Sequence, residues 1–356
     1  MSAVVKHRVA WSDGFPVVEE SEAAVSACLS QCGLSPDQEI GAGVDARGAA
    51  VQLVRAGGEP EYFPVVVAAL EAVLDPRFRI EHLGGPLSTW PAFVVNGPIV
   101  SKLQLYNGVY VMAAGRKANA AIGRAISLVL GNCLPEITGR DTAVLGNAAR
   151  MSGMVIAEKE DTPWQPLHVM LGHSPETSTV TAFSTSQGSP LQLLPLGARY
   201  TTARPIAALI AEHCSEGWCG PGTQLLLVSP NAQRPFIDDG WSKDDLRACL
   251  KEHARISTAQ LKRLGRWKAG PGDEIRSDGS VALCAGDEER WLRLADPATW
   301  SHVHPAPGQQ PAPAPAECFD VYPVVAGSEV AHMYMYLFHP YPAPIPPVTK
   351  PVRLAG

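Results

Sequence analysis

Ala92-Phe93-Val94-Val95-Asn96-Gly97-Pro98 is an apolar run cut off by three turn-forming residues. Four apolar side chains in succession suit a buried strand. Asn-Gly-Pro then ends it, because Gly supplies a positive φ and Pro removes an amide donor. Downstream, Lys117 to Leu130 places Ala118, Ala121, Ile122, Ala125, Ile126 and Val129 on one stripe at helical spacing. A second strand is expected over Thr223 to Val228, closed by Ser229-Pro230-Asn231. A helix then starts at Ser242, with Asp244 and Asp245 in its first turn, and a short one follows from Ser257. Met154–Ala157 and Thr179–Phe183 read as further strands, and Ala203–His213 as a helix. Helical stretches precede the first strand at Val17–Gly33, Ala49–Ala56 and Val65–Leu74.

Strands alternating with long helices predict an α/β fold, with a mixed or mostly parallel sheet and flanking helices. Two α/β halves are expected, over residues 1–200 and 201–300. Residues 301–356 form a Pro-rich C-terminal extension: 12 prolines fall between 305 and 356, which argues for a linker, a terminal strand near Val321–Ala326 and a surface tail from His339. Ligands of open α/β sheets sit beyond the carboxyl ends of strands, so the turns after Val95 and Val228 are candidate walls of one cleft.

The chain has 356 residues, 46% of them apolar, and a net charge of −6, with no basic field to attract nucleic acid or acidic lipid. No apolar run approaches the ~20 residues of a membrane span, and Met1–Gly14 has no signal-peptide core. Eight scattered cysteines in a long chain do not make a secreted disulfide framework. A cytoplasmic location is the resulting expectation.

No dinucleotide fingerprint after an expected strand, and no P-loop, Gly-x-Ser-x-Gly elbow, His-Glu-x-x-His or Cys-x-x-Cys, occurs. The densest polar cluster is Glu158-Lys159-Glu160-Asp161, fed by a strand and followed by Pro163-Trp164-Gln165-Pro166-Leu167-His168. Carboxylates at a strand end with a histidine eight to ten residues later suit an acid–base pair, or ligation of a divalent transition metal by Glu158 and His168. The plainer alternative is a solvated turn. Asn96, Asn119 and Arg124 are candidate substrate-binding residues, although Asn119 and Arg124 stand about 140° apart around their helix. Arg116, before that helix, could meet an anion at its N-terminus. His332 follows the last expected strand. Cys214 and Cys219, beside His213, could form a redox pair.

Several strings, taken together, resemble a bacterial family associated with thiol- or selenol-redox proteins bearing a U-G-S-C tetrapeptide. They are Pro60-Glu61-Tyr62-Phe63-Pro64-Val65-Val66, Val95-Asn96-Gly97-Pro98, Ala118-Asn119-Ala120-Ala121-Ile122-Gly123-Arg124-Ala125, Pro163-Trp164-Gln165-Pro166-Leu167-His168-Val169 and Gly240-Trp241-Ser242-Lys243. They run in order over roughly residues 45 to 260. The resemblance points to Asn96, Asn119, Arg124, Glu158, Glu160, His168 and His332 as site residues. The chain departs from the family pattern in having Ala331 for an expected lysine, Gly58 for a cysteine and Trp90 for a histidine. It also lacks the tetrapeptide.

The leading expectation is a small-molecule metabolic enzyme of lyase, hydratase or hydrolase type acting on a polar or anionic substrate. Glu158, Glu160, His168 and His332 would be catalytic. No nucleotide cofactor is implied. The alternatives are a thiol oxidoreductase using Cys214 and Cys219, and a non-catalytic subunit whose Pro-rich tail docks a partner. A homo-oligomer or a partner subunit is compatible with the composition.

Overall fold

A computed structural model describes residues 13–85, 88–113, 115–134, 146–147, 149–193, 199–216, 222–303, 319–329, 333–340, 343 and 345–355. The fold is α/β, with parallel and antiparallel strand pairs. Its strands are β1 (Glu39–Gly41), β2 (Val44–Asp45), β3 (Trp90–Asn96), β4 (Met154–Ala157), β5 (Thr179–Leu193), β6 (Gly222–Val228), β7 (Arg255–Ser257), β8 (Trp291–Arg293), β9 (Phe319–Val325), β10 (Met333–Pro340) and β11 (Val348–Pro351). Two compact units emerge. One comprises Met1–Glu160, Pro166–Gln187 and Pro347–Gly356; the other comprises Asp161–Gln165 and Gly188–Pro346.

In the first unit β3 is central. It runs parallel to β4, with Ala92 opposite Met154 and Val95 opposite Ala157, and antiparallel to the start of β5, with Asn96 opposite Thr179. On the other side of β5 lies β11, antiparallel. All seven residues of β3 are buried, which explains why its sequence is a continuous apolar run and not an alternating one. The helix Lys117–Cys133 buries the whole stripe from Ala118 to Val129. Ser21 and Gly33 cap the helix Glu22–Cys32, Asp45 caps Ala46–Arg55, and Phe63–Val73 is buried almost all round. The strand β4 is entered through Gly153, at φ +61°. A Cβ there would lie 2.2 Å from the backbone carbonyl of Gly123, so two glycines let the strand entry and the long helix touch.

The second unit builds on β6, parallel to β9 and antiparallel to β10. The helix Lys243–His253 carries the expected Ser242 cap, reinforced by Asp245 accepting from the Ser242 amide. The helix Thr258–Arg263 buries Lys262. Its ammonium lies 2.8 Å from Asp273 and 3.1 Å from Asp287. Hydrogen bonding to Lys262 is the main reason the Asp273 carboxyl is held down at about 2.

The C-terminal region departs from the expectation of a surface tail. β10 and β11 are strands, Val348 is buried, and His339 is buried with Nε2 2.8 Å from the Ser189 hydroxyl. Proline spacing signals an extended chain but not whether that chain joins a sheet. Residues 304–318, which hold most of the proline linker, lie outside the described residues. Among the described residues no helix is long and apolar enough to cross a membrane.

Gly153→Ala should destabilise the protein by about 3 kcal/mol, combining strain at positive φ with overpacking against Gly123; a urea midpoint unchanged from wild type would contradict this packing. Lys262→Met should cost about 2 kcal/mol near neutrality. The depressed Asp273 carboxyl contributes stability above its unfolded pKa of about 4 and loses it as pH falls through about 2. The gap between wild type and Lys262→Met should therefore narrow over that range in pH-dependent denaturation.

Candidate functional site

Asn96 is the last residue of β3, and Glu158 follows the last residue of β4. The two strands are parallel and in register, so both side chains leave the same end of the sheet. The ladder continues one step further, as the Glu158 amide donates to the Val95 carbonyl at 3.1 Å. Alternation along an extended chain then returns Glu160 to the same side as Glu158.

Asn96 meets both acids. Its Nδ2 donates to Glu158 Oε2 at 2.6 Å and to Glu160 Oε1 at 2.9 Å, which uses both amide hydrogens. The opposite amide orientation would aim Oδ1 at two carboxylates, so the contacts fix which end is nitrogen. Backbone donors complete the clamp. The Leu167 amide donates to Glu158 Oε2 and the Gly97 amide to Glu160 Oε1, each at 2.7 Å. Gly97 is required by geometry: at φ +83° its Cβ would lie 2.6 Å from the Thr177 carbonyl oxygen. Asn96 and His168 are 0% exposed and Glu158 2%, whereas the Glu160 side chain is 27% exposed. Glu160 is thus the member of the cluster that solvent reaches.

His168 sits in the short helix Leu167–Met170. Its Nε2 is 3.4 Å from the Pro175 carbonyl oxygen, which can only accept, so the contact places a proton on Nε2. Nδ1 is the other ring nitrogen. It has no hydrogen-bond partner and stands 3.9 Å from Glu160 Oε1. Asn96 Oδ1 is a second buried acceptor without a partner.

The other expected site residues are engaged elsewhere. Asn119 accepts from the Tyr106 amide and donates to the carbonyls of Tyr106 and Val155. It fixes the loop that carries Asn107, whose Nδ2 donates to the Glu158 carbonyl at 3.3 Å. Arg124 forks onto the Asp13 carboxylate and reaches the Phe15 carbonyl. Burial would raise the Asp13 pKa, but the bound guanidinium outweighs it and holds the carboxyl below its ordinary value. Arg116 stacks over the Tyr106 ring, 3.7 Å from its centroid. The structure therefore brings together Asn96, Glu158, Glu160 and His168, with Asn119 one layer behind and Arg124 in a separate ion pair. His332 lies outside the described residues.

The sequence pattern missed Asn107, the Ser178 hydroxyl that accepts from the Ile99 amide, and the two backbone donors at Gly97 and Leu167. Backbone donors leave no side-chain signature. Asn107 had a weak signal as a polar residue beside Gly108 in a turn.

Among the described residues no three His, Cys, Asp or Glu side chains converge to hold a metal ion. Glu158 Oε2 already accepts from two N–H groups, so the arrangement is a hydrogen-bonded acid pair with a histidine, not a closed ligand shell. Burial pushes the Cys28 and Cys133 thiols up to about 11 and the Cys32 thiol to about 12, and it raises Cys249 as well. None of these four has the low pKa of a nucleophilic thiolate. The side chain of Cys214, and Cys219 altogether, lie outside the described residues. A cavity of about 230 Å³ in the second unit is lined by Lys262 and Trp267, but the Lys262 charge is already matched by two aspartates. Comparison with protein families and with curated proteins finds no match for this chain.

Asn96→Ala should cost about 2–4 kcal/mol, because it withdraws charge-assisted hydrogen bonds from a buried carboxylate. Asn96→Asp would put a third carboxylate in the cluster and raise carboxyl pKa values in the folded state only. Its penalty should grow as pH rises from about 5 to about 8. Thermal denaturation of both variants across that range measures this, and a pH-independent Asn96→Asp penalty would contradict the arrangement.

Proposed function

We propose that this protein is a small-molecule enzyme that works by proton transfer, with Glu160 as the group that exchanges a proton with the substrate. The observation that carries the reading is the single amide nitrogen of Asn96 holding two carboxylates beyond the ends of adjacent parallel strands. One of those carboxylates is open to solvent and lies beside an unpartnered imidazole nitrogen. Strand ends of this kind are where open α/β sheets bind ligands. Glu160 is within reach of solvent and fixed in direction by Asn96 and Gly97, as a general base or acid must be. His168 is a positioning residue whose Nδ1 faces Glu160. Glu158 and Asn96 hold the geometry.

Addition or elimination across a polarised bond, or hydrolysis, suits such a pair, in keeping with lyase, hydratase or hydrolase chemistry. The sequence resemblance to the bacterial redox family supports the same residues as a site.

The test is an untargeted turnover assay. The purified intact chain is incubated in deuterium oxide with a pool of polar metabolites, and mass spectrometry records compounds that are consumed or that gain deuterium at carbon. Wild type should convert at least one compound, and Glu160→Gln should slow that conversion by ~10²–10⁴. Equal rates in the two proteins, or no conversion by the folded wild type, would overturn the reading. His168→Gln should shift the pH–rate profile as well as lower the rate, whereas a purely structural role would lower it uniformly.

A further inference from the structure

The helix Lys117–Cys133 runs antiparallel to β4. Asn119 Nδ2 donates to the Val155 carbonyl at 3.1 Å, while Gly123, one turn further along the helix, abuts Gly153. Walking back toward the helix N-terminus therefore leads past the carboxyl end of β4, where Glu158 and Glu160 stand. The chain that leads into the helix, over residues 104–113, is fastened there at its base. Asn119 takes both the amide and the carbonyl of Tyr106, and the Arg116 guanidinium lies over the Tyr106 ring. Asn107 Nδ2 donates to the Glu158 carbonyl at 3.3 Å.

The tip of the same loop is built the other way. Val109 is 40% exposed and Tyr110 76%, two large hydrophobic side chains left in water on a segment whose base is pinned. Arg116 Nη2 donates to the Val109 carbonyl at 3.4 Å, and Tyr110 stands at φ +60°, in the left-handed region that bulky residues seldom adopt. Glycine at this position would relieve that strain at little cost in packing, so stability gives no reason for an aromatic ring there. Asn107 is tied to Glu158, and Tyr110 follows three residues later, at most about 10 Å of chain. The ring thus stays close to the strand end that carries Glu160, the acid that solvent reaches.

We propose that Val109 and Tyr110 wall the solvent side of this site, and that its substrate joins a polar end at Glu160 to an apolar part covered by the Tyr110 ring. The inference rests on the proposed assignment of the Glu160 cluster as the site and names its substrate class. Covering the apolar part takes both side chains out of water and shuts solvent away from Glu160, which strengthens that carboxyl's interaction with the reacting group. A wholly polar ligand would leave the two side chains as exposed as before.

Benzyl alcohol, ethylene glycol and toluene make a probe series: a ring with a polar end, a polar end alone and a ring alone. Each is titrated into the intact chain carrying 3-fluorotyrosine, with the Tyr110 ¹⁹F signal assigned by its loss in Tyr110→Phe. Benzyl alcohol should shift that signal saturably, and ethylene glycol at equal concentration should not. Glu160→Ala should weaken the benzyl alcohol response about tenfold and leave any toluene response unchanged. No saturable shift in wild type, an equal response to ethylene glycol, or a benzyl alcohol response indifferent to Glu160→Ala would overturn the proposal. So would a response to toluene as strong as that to benzyl alcohol, which would mark an apolar patch unconnected with Glu160; this wild-type comparison stands even if Glu160→Ala does not fold. The turnover assay separates the two claims. For a compound that wild type converts, Tyr110→Ala should raise KM about tenfold with kcat within about threefold, and Tyr110→Phe should behave as wild type. Glu160-dependent conversion that Tyr110→Ala leaves untouched would overturn the wall alone, and a benzyl alcohol response without any turnover would overturn the catalytic reading alone.

Discussion

A primary amide nitrogen has two hydrogens, and in this protein both of those on Asn96 are spent on carboxylates. That constraint organises the first unit. Glu158 is almost wholly buried, and a buried carboxylate is tolerated only where donors replace the water it has lost. Its donors come from the end of β3 and from the start of the helix at Leu167, so the acid joins segments that are far apart in sequence. The same nitrogen reaches Glu160, and through it the turn at Gly97. Shifting β3 by one residue against β4 would turn the Asn96 side chain to the other face and strand both acids.

The turn after β3 shows how local chemistry serves that clamp. Gly97 must be glycine, because it sits at positive φ with the Thr177 carbonyl where a side chain would begin. The same residue presents its amide to Glu160, and two residues later the Ile99 amide is taken by the Ser178 hydroxyl. Close approach of the backbone to residues 177–178 and the direction of the Gly97 N–H toward Glu160 are two results of one conformation. Asn-Gly-Pro is therefore both a strand terminator and part of the polar cluster.

Much of this was legible in the residues. The unbroken apolar run of β3, the stripe on Lys117–Cys133 and the Ser242 cap are local patterns, and the structure contains all three. Asn96, Glu158, Glu160 and His168 could be grouped because strand ends collect polar residues. Asn119 and Arg124 were harder. A helix carrying one asparagine and one arginine looks the same in sequence whether those groups face a ligand, a loop backbone or a distant carboxylate. Only the tertiary fold shows that Asn119 satisfies Tyr106 and Val155 and that Arg124 meets Asp13, more than a hundred residues away. The C-terminal strands were obscured for a similar reason. Pairing of β11 with β5 links residues far apart in the chain, while the prolines around it report only local stiffness.

At the ends of β3 and β4 the Asn96 amide nitrogen and the Gly97 and Leu167 amides donate to two carboxylates, while Asn96 Oδ1 and His168 Nδ1 are buried without hydrogen-bond partners. A sequence selected for stability alone would gain by replacing His168 with an apolar residue of similar volume, since that removes an unpartnered buried polar atom and keeps the packing. The apolar core of the same unit, with Phe93, Ile122, Ile126 and Val348, supplies stability that lets such atoms persist. Two orphaned buried atoms beside a carboxylate that solvent reaches are what a network selected for stability alone would have removed.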